Sequence, residues 1–256
     1  MDNTVVDAAR QALGPVGVCL PVSFASAPPA GLQREAVARL ERAGYRAVWT
    51  NEVIGKDALV QVSMLLAATE GMAFGTCIAN IWARPAQTMH AAAAQLAEAY
   101  PDRFVLGLGV GYPEQATSVG QDFGSPLATM RDYLDRMGSP TWPPAPQAPY
   151  PRIVAANGPK MLALAGEIAD GALPAMLPPE LTAQARRLLG PDKLLVVGVS
   201  VAVDADADRA KTTAQEVREY LTAGADHVTL LLPIGGDFAT GVSQLEQLAP
   251  ALAEAG

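Results

Sequence analysis

Cysteine and histidine are scarce, with Cys19, Cys77, His90 and His227 the only examples in 256 residues. Their spacing excludes a disulfide framework and a zinc site of clustered Cys and His. Lysine is also rare: 4 lysines and 14 arginines face 26 acidic residues, for a net charge of −8. An acidic chain without a basic stripe repels a phosphate backbone, so nucleic acid is excluded as a partner. No apolar run approaches a membrane span. The longest strongly apolar stretch, Leu194 to Val203, is about half of the ~20 residues a span needs. Met1-Asp2-Asn3 lacks the basic start of a signal peptide, so a cytoplasmic protein is expected. Aromatics are 5%, against 50% hydrophobic residues overall, which leaves the core to Ala, Val and Leu. Charged residues, at 17%, fall below the usual ~25%, and a sparsely charged surface suits a homo-oligomer.

What the chain does have is alternation. Short apolar runs begin at Val16, Ala47, Met72, Phe104, Arg152, Ala172, Leu194 and Asp226. Amphipathic stretches separate them, among them Leu32–Ala43, Pro85–Ala99, Pro179–Leu189 and Ala207–Ala223, with Val242–Ala255 closing the chain. The proline-rich segment from Ser139 to Pro151 reads as a surface connection. Eight successive βα units favour closure, so the expected fold is a single (β/α)8 barrel spanning residues 1–256.

In such a barrel the functional groups sit on the loops after the strands. After the fifth predicted strand comes Ala156-Asn157-Gly158-Pro159-Lys160-Met161. There a glycine admits close approach, a proline pre-sets the helical turn, and free amides face an anion, with Lys160 adding charge. The plainer alternative is a tight turn with Asn157 as helix cap. The fourth strand carries Gly107, Gly109 and Gly111 at alternate positions. They leave a face for something flat, or permit close packing of neighbouring strands. Cys77, with no histidine near it in sequence, reads as a small buried hydrophobe. Pro21 and Trp82, in the loops after the first and third strands, are candidate walls of a substrate pocket. Glu52, beside Asn51 after the second strand, could exchange a proton with a bound ring. Alternatively it caps the next helix or pairs with Arg84. Asp204, Asp206 and Asp208 read as a solvated acidic loop, so no metal is expected. Both histidines read as structural, although His90 could reach a cofactor tail.

Taken in order, Gly44-Tyr45-Arg46-Ala47-Val48-Trp49 into Asn51-Glu52, Gly75 to Asn80, Arg103 to Gly109, Ala155 to Lys160 and Ala223 to Val228 resemble the luciferase-like monooxygenase superfamily. The match is to its F420-dependent oxidoreductase branch of actinobacterial type. The resemblance implies a cofactor, deazaflavin F420 with FMN as the alternative, bound at the carboxyl end of the strands. It implies a non-prolyl cis peptide at Cys77–Ile78, where Thr76, Cys77 and Ile78 back the ring. Gly109, Val110 and Gly111 would flank the ring, with Asn51 nearby, and Ala156 to Met161 would hold the phosphate. The activity implied is hydride transfer to or from a small organic substrate, in a protein that is commonly a homodimer. The alternatives are an FMN monooxygenase, a flavin-binding protein without turnover, or a barrel aldolase or isomerase using Lys160 or Glu52. Two departures stand out. The sugar-phosphate dehydrogenase of the family has Asp-His where this chain has Asn51-Glu52, and a glutamate where it has Tyr112. The proton donor is then Glu52, Tyr112 or Glu114. The connection from Asp204 to Ala223 is also shorter than in relatives, which removes a substrate-covering piece.

Overall fold

The computed structural model describes residues 4–23, 27–53, 55–202 and 207–253. The acidic loop at Asp204 and Asp206, the side chain of Asp208 and the chain beyond 253 lie outside the described residues. Among the described residues, nine strands run β1 (Val16–Cys19), β2 (Ala47–Thr50), β3 (Ala73–Thr76), β4 (Ala79–Asn80), β5 (Phe104–Gly109), β6 (Arg152–Ala155), β7 (Gly171–Leu173), β8 (Leu194–Ser200) and β9 (His227–Leu231). All neighbours pair in parallel, and β3 and β4 both pair with β5, which closes the sheet into a barrel. Two short pieces, β3 and β4, share the third barrel position, so labels from β5 onward run one ahead of that position.

The strands are buried on both faces, as parallel strands covered by helices must be. Outside the barrel, side chains such as Val48, Phe74, Leu106 and Leu230 pack under the helices. These are α2 (Ala30–Arg42), α3 (Ala58–Leu66), α4 (Ala86–Ala99), α6 (Pro126–Met137), α7 (Pro159–Ile168), α8 (Pro179–Leu189), α9 (Ala207–Thr222) and α10 (Phe238–Ala253), with the short α5 (Pro113–Ser118) following β5. Inside, Cys19, Trp49, Val105, Ile153, Leu173 and Val196 form a second core. With so few aromatics, one large ring fills the centre. A Cβ on Gly75 would fall 2.2 Å from the Trp49 ring, so only glycine fits there.

The chain before Val16, unassigned in the sequence reading, forms α1 (Thr4–Leu13). Its buried Val6, Ala9 and Leu13 join the inner core and stopper the amino end of the barrel. Next to it, Trp49 Nε1 donates to His227 Nε2 at 3.0 Å, and His227 Nδ1 lies 2.7 Å from the Gly14 carbonyl. A tryptophan N–H only donates, so Nε2 must accept and Nδ1 carries the proton. His227 is therefore a neutral strut, and burial lowers its pKa to about 4. His90 pairs with Tyr150 at 2.6 Å, and the Tyr150 ring packs near Phe104 at the start of β5.

Candidate active site

The third barrel strand breaks between Thr76 and Ala79, and the Cys77–Ile78 peptide is cis, as the family resemblance implies. The alternating glycines of β5 answer to this break. A Cβ on Gly107 would fall 2.0 Å from the Thr76 carbonyl oxygen, and one on Gly109 would fall 2.7 Å from the Ile78 side chain. The glycines admit the chain's own neighbouring strand, so the close-packing alternative describes them and the open face does not exist at these two positions. Thr76 is corrected for the same reason. It is fully buried, and its hydroxyl accepts from Gly107 N at 2.9 Å and donates to Gly107 O at 2.7 Å. It splices two strands, and its side chain is closed off from the barrel mouth's solvent. Cys77 Sγ lies 3.3 Å from Cys19 Sγ. That contact and burial raise the Cys77 pKa well above its ordinary value, so the thiol stays protonated and is no nucleophile.

Glu52 is also corrected as a proton donor. Oε1 accepts from Ala58 N at 2.9 Å and Oε2 from Asn80 N at 2.8 Å, while Arg84 pairs with both oxygens. A buried carboxylate with four donors has no free lone pair aimed at a ring. It ties β2 to the start of α3 and to β4. Asp57 caps α3 through Leu59 N and Val60 N and gives Arg84 its second carboxylate at 2.9 Å. The other two proton candidates sit on the rim: Tyr112 is 70% exposed, and Glu114 is exposed in the first turn of α5.

Two cavities open among the loops that follow the strands, the first of them beside the broken strand. One, of about 430 Å³, is walled by Trp82, Asn80, Arg84 and Gln115. Trp82 is held there by its indole N–H on the Val110 carbonyl at 2.7 Å and its amide on Asn80 Oδ1 at 2.9 Å. The other, of about 550 Å³, lies between the loops after β1 and β2, with Pro21, Leu20, Met64 and Phe238 against Asn51, Gln61 and Lys56. Lys56 belongs to both walls. Lys56 is a functional candidate that the sequence alone does not single out. Its one signal was rarity, as one of 4 lysines, on a loop at the carboxyl end of a strand.

Across the barrel, the start of α7 is open. Asn157 is not its cap, because its Oδ1 accepts from Ala175 N at 2.9 Å; Gly158 holds the cap position with no side-chain hydrogen bond. Asn157, Gly158, Pro159 and Lys160 are exposed, and no atom stands within 4 Å of where a Gly158 Cβ would be. The Ala156 amide, by contrast, goes to the Leu173 carbonyl at 3.3 Å. The first-turn amides of Lys160 and Met161, and the Lys160 ammonium, form a donor set that suits a phosphate.

Fold and rim together define a (β/α)8 barrel with its functional loops at the carboxyl end. The protein belongs to the luciferase-like monooxygenase family, whose model matches residues 15–254. A Mycobacterium tuberculosis protein named among coenzyme F420-dependent oxidoreductases is 30% identical over 194 residues, covering 63% of this chain and 56% of that one. The chain thus spans little more than half the length of this relative. A 5,10-methylenetetrahydromethanopterin reductase of Methanolobus tindarius is 27% identical over 220 residues, covering 74% and 67%. Among solved structures, an F420-dependent secondary alcohol dehydrogenase bound to an F420–acetone adduct superposes with TM-score 0.77 at 16% identity, covering 93% and 98%. An FMN-bound type II Baeyer–Villiger monooxygenase from Pseudomonas putida does so with TM-score 0.68 at 11%, covering 93% and 98%. At these identities the superpositions speak for the fold. No helix among the described residues is long and apolar enough to cross a membrane.

Proposed function

We propose that the protein is an F420-dependent oxidoreductase acting on a small organic molecule. The observation that carries this reading is the start of α7, which has no side-chain cap and so leaves first-turn amides, with Lys160 beside them, as donors for an anion at the same end of the barrel as the broken third strand. F420 and FMN both carry a phosphate and a planar ring, and the relatives named for F420 favour the first. When bound, F420 supplies a hydride at its C5 carbon. The chain's own residues do the remaining work. Cys77 and Ile78 floor the ring, Trp82 walls the space beside it, and Glu52 with Arg84 fixes the loops in place. With Glu52 fully engaged, proton transfer falls to Tyr112 or Glu114.

The test is a titration of purified protein with F420 and, separately, with FMN. Saturable binding of F420 in the low-micromolar range or tighter, lost in Gly158→Asp, supports the reading. Tight FMN binding with no F420 affinity replaces it with a flavin monooxygenase.

A further inference from the structure

We propose that the cavity between the loops after β1 and β2 binds an organic carboxylate, and that Lys56 is the group that recognises it. The inference rests on the oxidoreductase reading in one respect, that the carboxylate is carried by the substrate.

The geometry of the amine carries the proposal. Lys56 Nζ donates to Asn51 Oδ1 at 2.8 Å and to Thr50 Oγ1 at 3.0 Å. An ammonium has three donors, and among the described residues the third has no partner. The nearby carboxylates are already engaged: Glu52 and Asp57 both pair with Arg84, although Asp57 shares the cavity wall and Glu52 acts on Lys56 at longer range. Lys56 thus brings a cation to a cavity wall with no anion within 4.0 Å among the described residues. Removing a charge from water without a partner is costly, and such groups are normally paired. Burial lowers the Lys56 pKa, the direction expected of an amine that water reaches poorly. A carboxylate in the cavity would supply the missing counter-ion.

The amine is also held in place. Gln33 Nε2 donates to the Pro28 carbonyl at 2.6 Å, Gln61 Nε2 to Gln33 Oε1 at 2.5 Å, and Thr50 Oγ1 to Gln61 Oε1 at 2.6 Å. This chain of hydrogen bonds ends on Lys56, so the ammonium is oriented before any ligand arrives. Pre-organised donors lose little entropy on binding. Leu20, Pro21, Met64 and Phe238 give the wall an apolar side, facing a polar side of Gln33, Asn51, Gln61 and Asp57, the last paired with Arg84. A volume of about 550 Å³ lies within the ~300–1,000 Å³ typical of small-molecule sites. One fixed cation facing an apolar side suits a monocarboxylate with a hydrocarbon or aromatic body.

Calorimetric titration of the whole protein with hexanoate and benzoate, against hexanamide and benzamide, tests this. F420 is titrated in parallel. The acids are expected to bind about tenfold or more tightly than the amides, as a hydrogen bond to a charged group warrants. K56M should erase that preference, K56R should keep it, and both should hold F420 as the parent does. Equal binding of acids and amides, no binding of either acid, or a preference that survives K56M overturns the proposal. So does loss of F420 in K56M, which would make Lys56 a cofactor residue. If the acid preference stands and F420 never binds, the carboxylate site survives and the oxidoreductase reading falls.

Discussion

Replacing Glu52 with glutamine tests how the barrel mouth is held. The native carboxylate accepts the Ala58 and Asn80 amides on separate oxygens and pairs with Arg84 on both. Glutamine keeps the shape but has one oxygen. Whichever way its amide turns, an NH2 faces one of the two backbone N–H groups. Leaving that buried N–H without an acceptor costs about 1–3 kcal/mol. Arg84, 10% exposed, also loses its closer carboxylate and keeps Asp57 at 2.9 Å. Breaking a buried ion pair costs about 3–5 kcal/mol, and the surviving Asp57 contact holds the sum near that range. For a chain of this size, a loss of this order lowers Tm by about 10 °C. Differential scanning calorimetry and urea unfolding of E52Q measure it. A variant within about 1 kcal/mol of the parent, an effect typical of surface sites, would refute the structural role and return Glu52 to the proton-donor candidates.

Gly158→Asp separates binding from folding: an added side chain meets nothing within 4 Å, so Tm should hold while fluorescence titration shows F420 binding lost. Gly107→Ala should behave in the opposite way, because its Cβ would fall 2.0 Å from a backbone oxygen; the readout is failure to yield folded protein by circular dichroism. His227 makes stability depend on pH. The folded protein holds it neutral down to about pH 4, whereas the unfolded chain takes the proton from about pH 6.5. Stability from this group is therefore full above pH 6.5 and falls as pH drops toward 4. The loss totals roughly 3 kcal/mol. Urea midpoints at pH 7 and pH 5 measure it, and H227N should flatten the difference.

The barrel was legible because each strand is a short apolar run and most helices present one buried face. The helix α1 was not, since nothing in Thr4–Leu13 says that it will stopper a barrel. The site was legible at the level of loops and less so at the level of atoms. Alternating glycines in β5 left two uses open, and the choice depended on Thr76 and Ile78, which meet that strand only after the sheet closes. Asn157 looked like a cap because capping is local; its actual partner, Ala175, is 18 residues away. Glu52 offered a chemical role and two structural ones, and both structural ones hold, since it accepts the first amide of α3 and pairs with Arg84. Lys56 was missed because the network that holds it joins two loops, the end of β2 and two helices.

On the proposed function, backbone amides at the start of α7 grip the anionic part of a deazaflavin. Fluorescence quenching of F420 titrated with this protein, at low salt and in parallel with Gly158→Asp, tests it most directly. A single saturable transition for the parent, absent in the variant, is the predicted result; unquenched F420 at every protein concentration would contradict it.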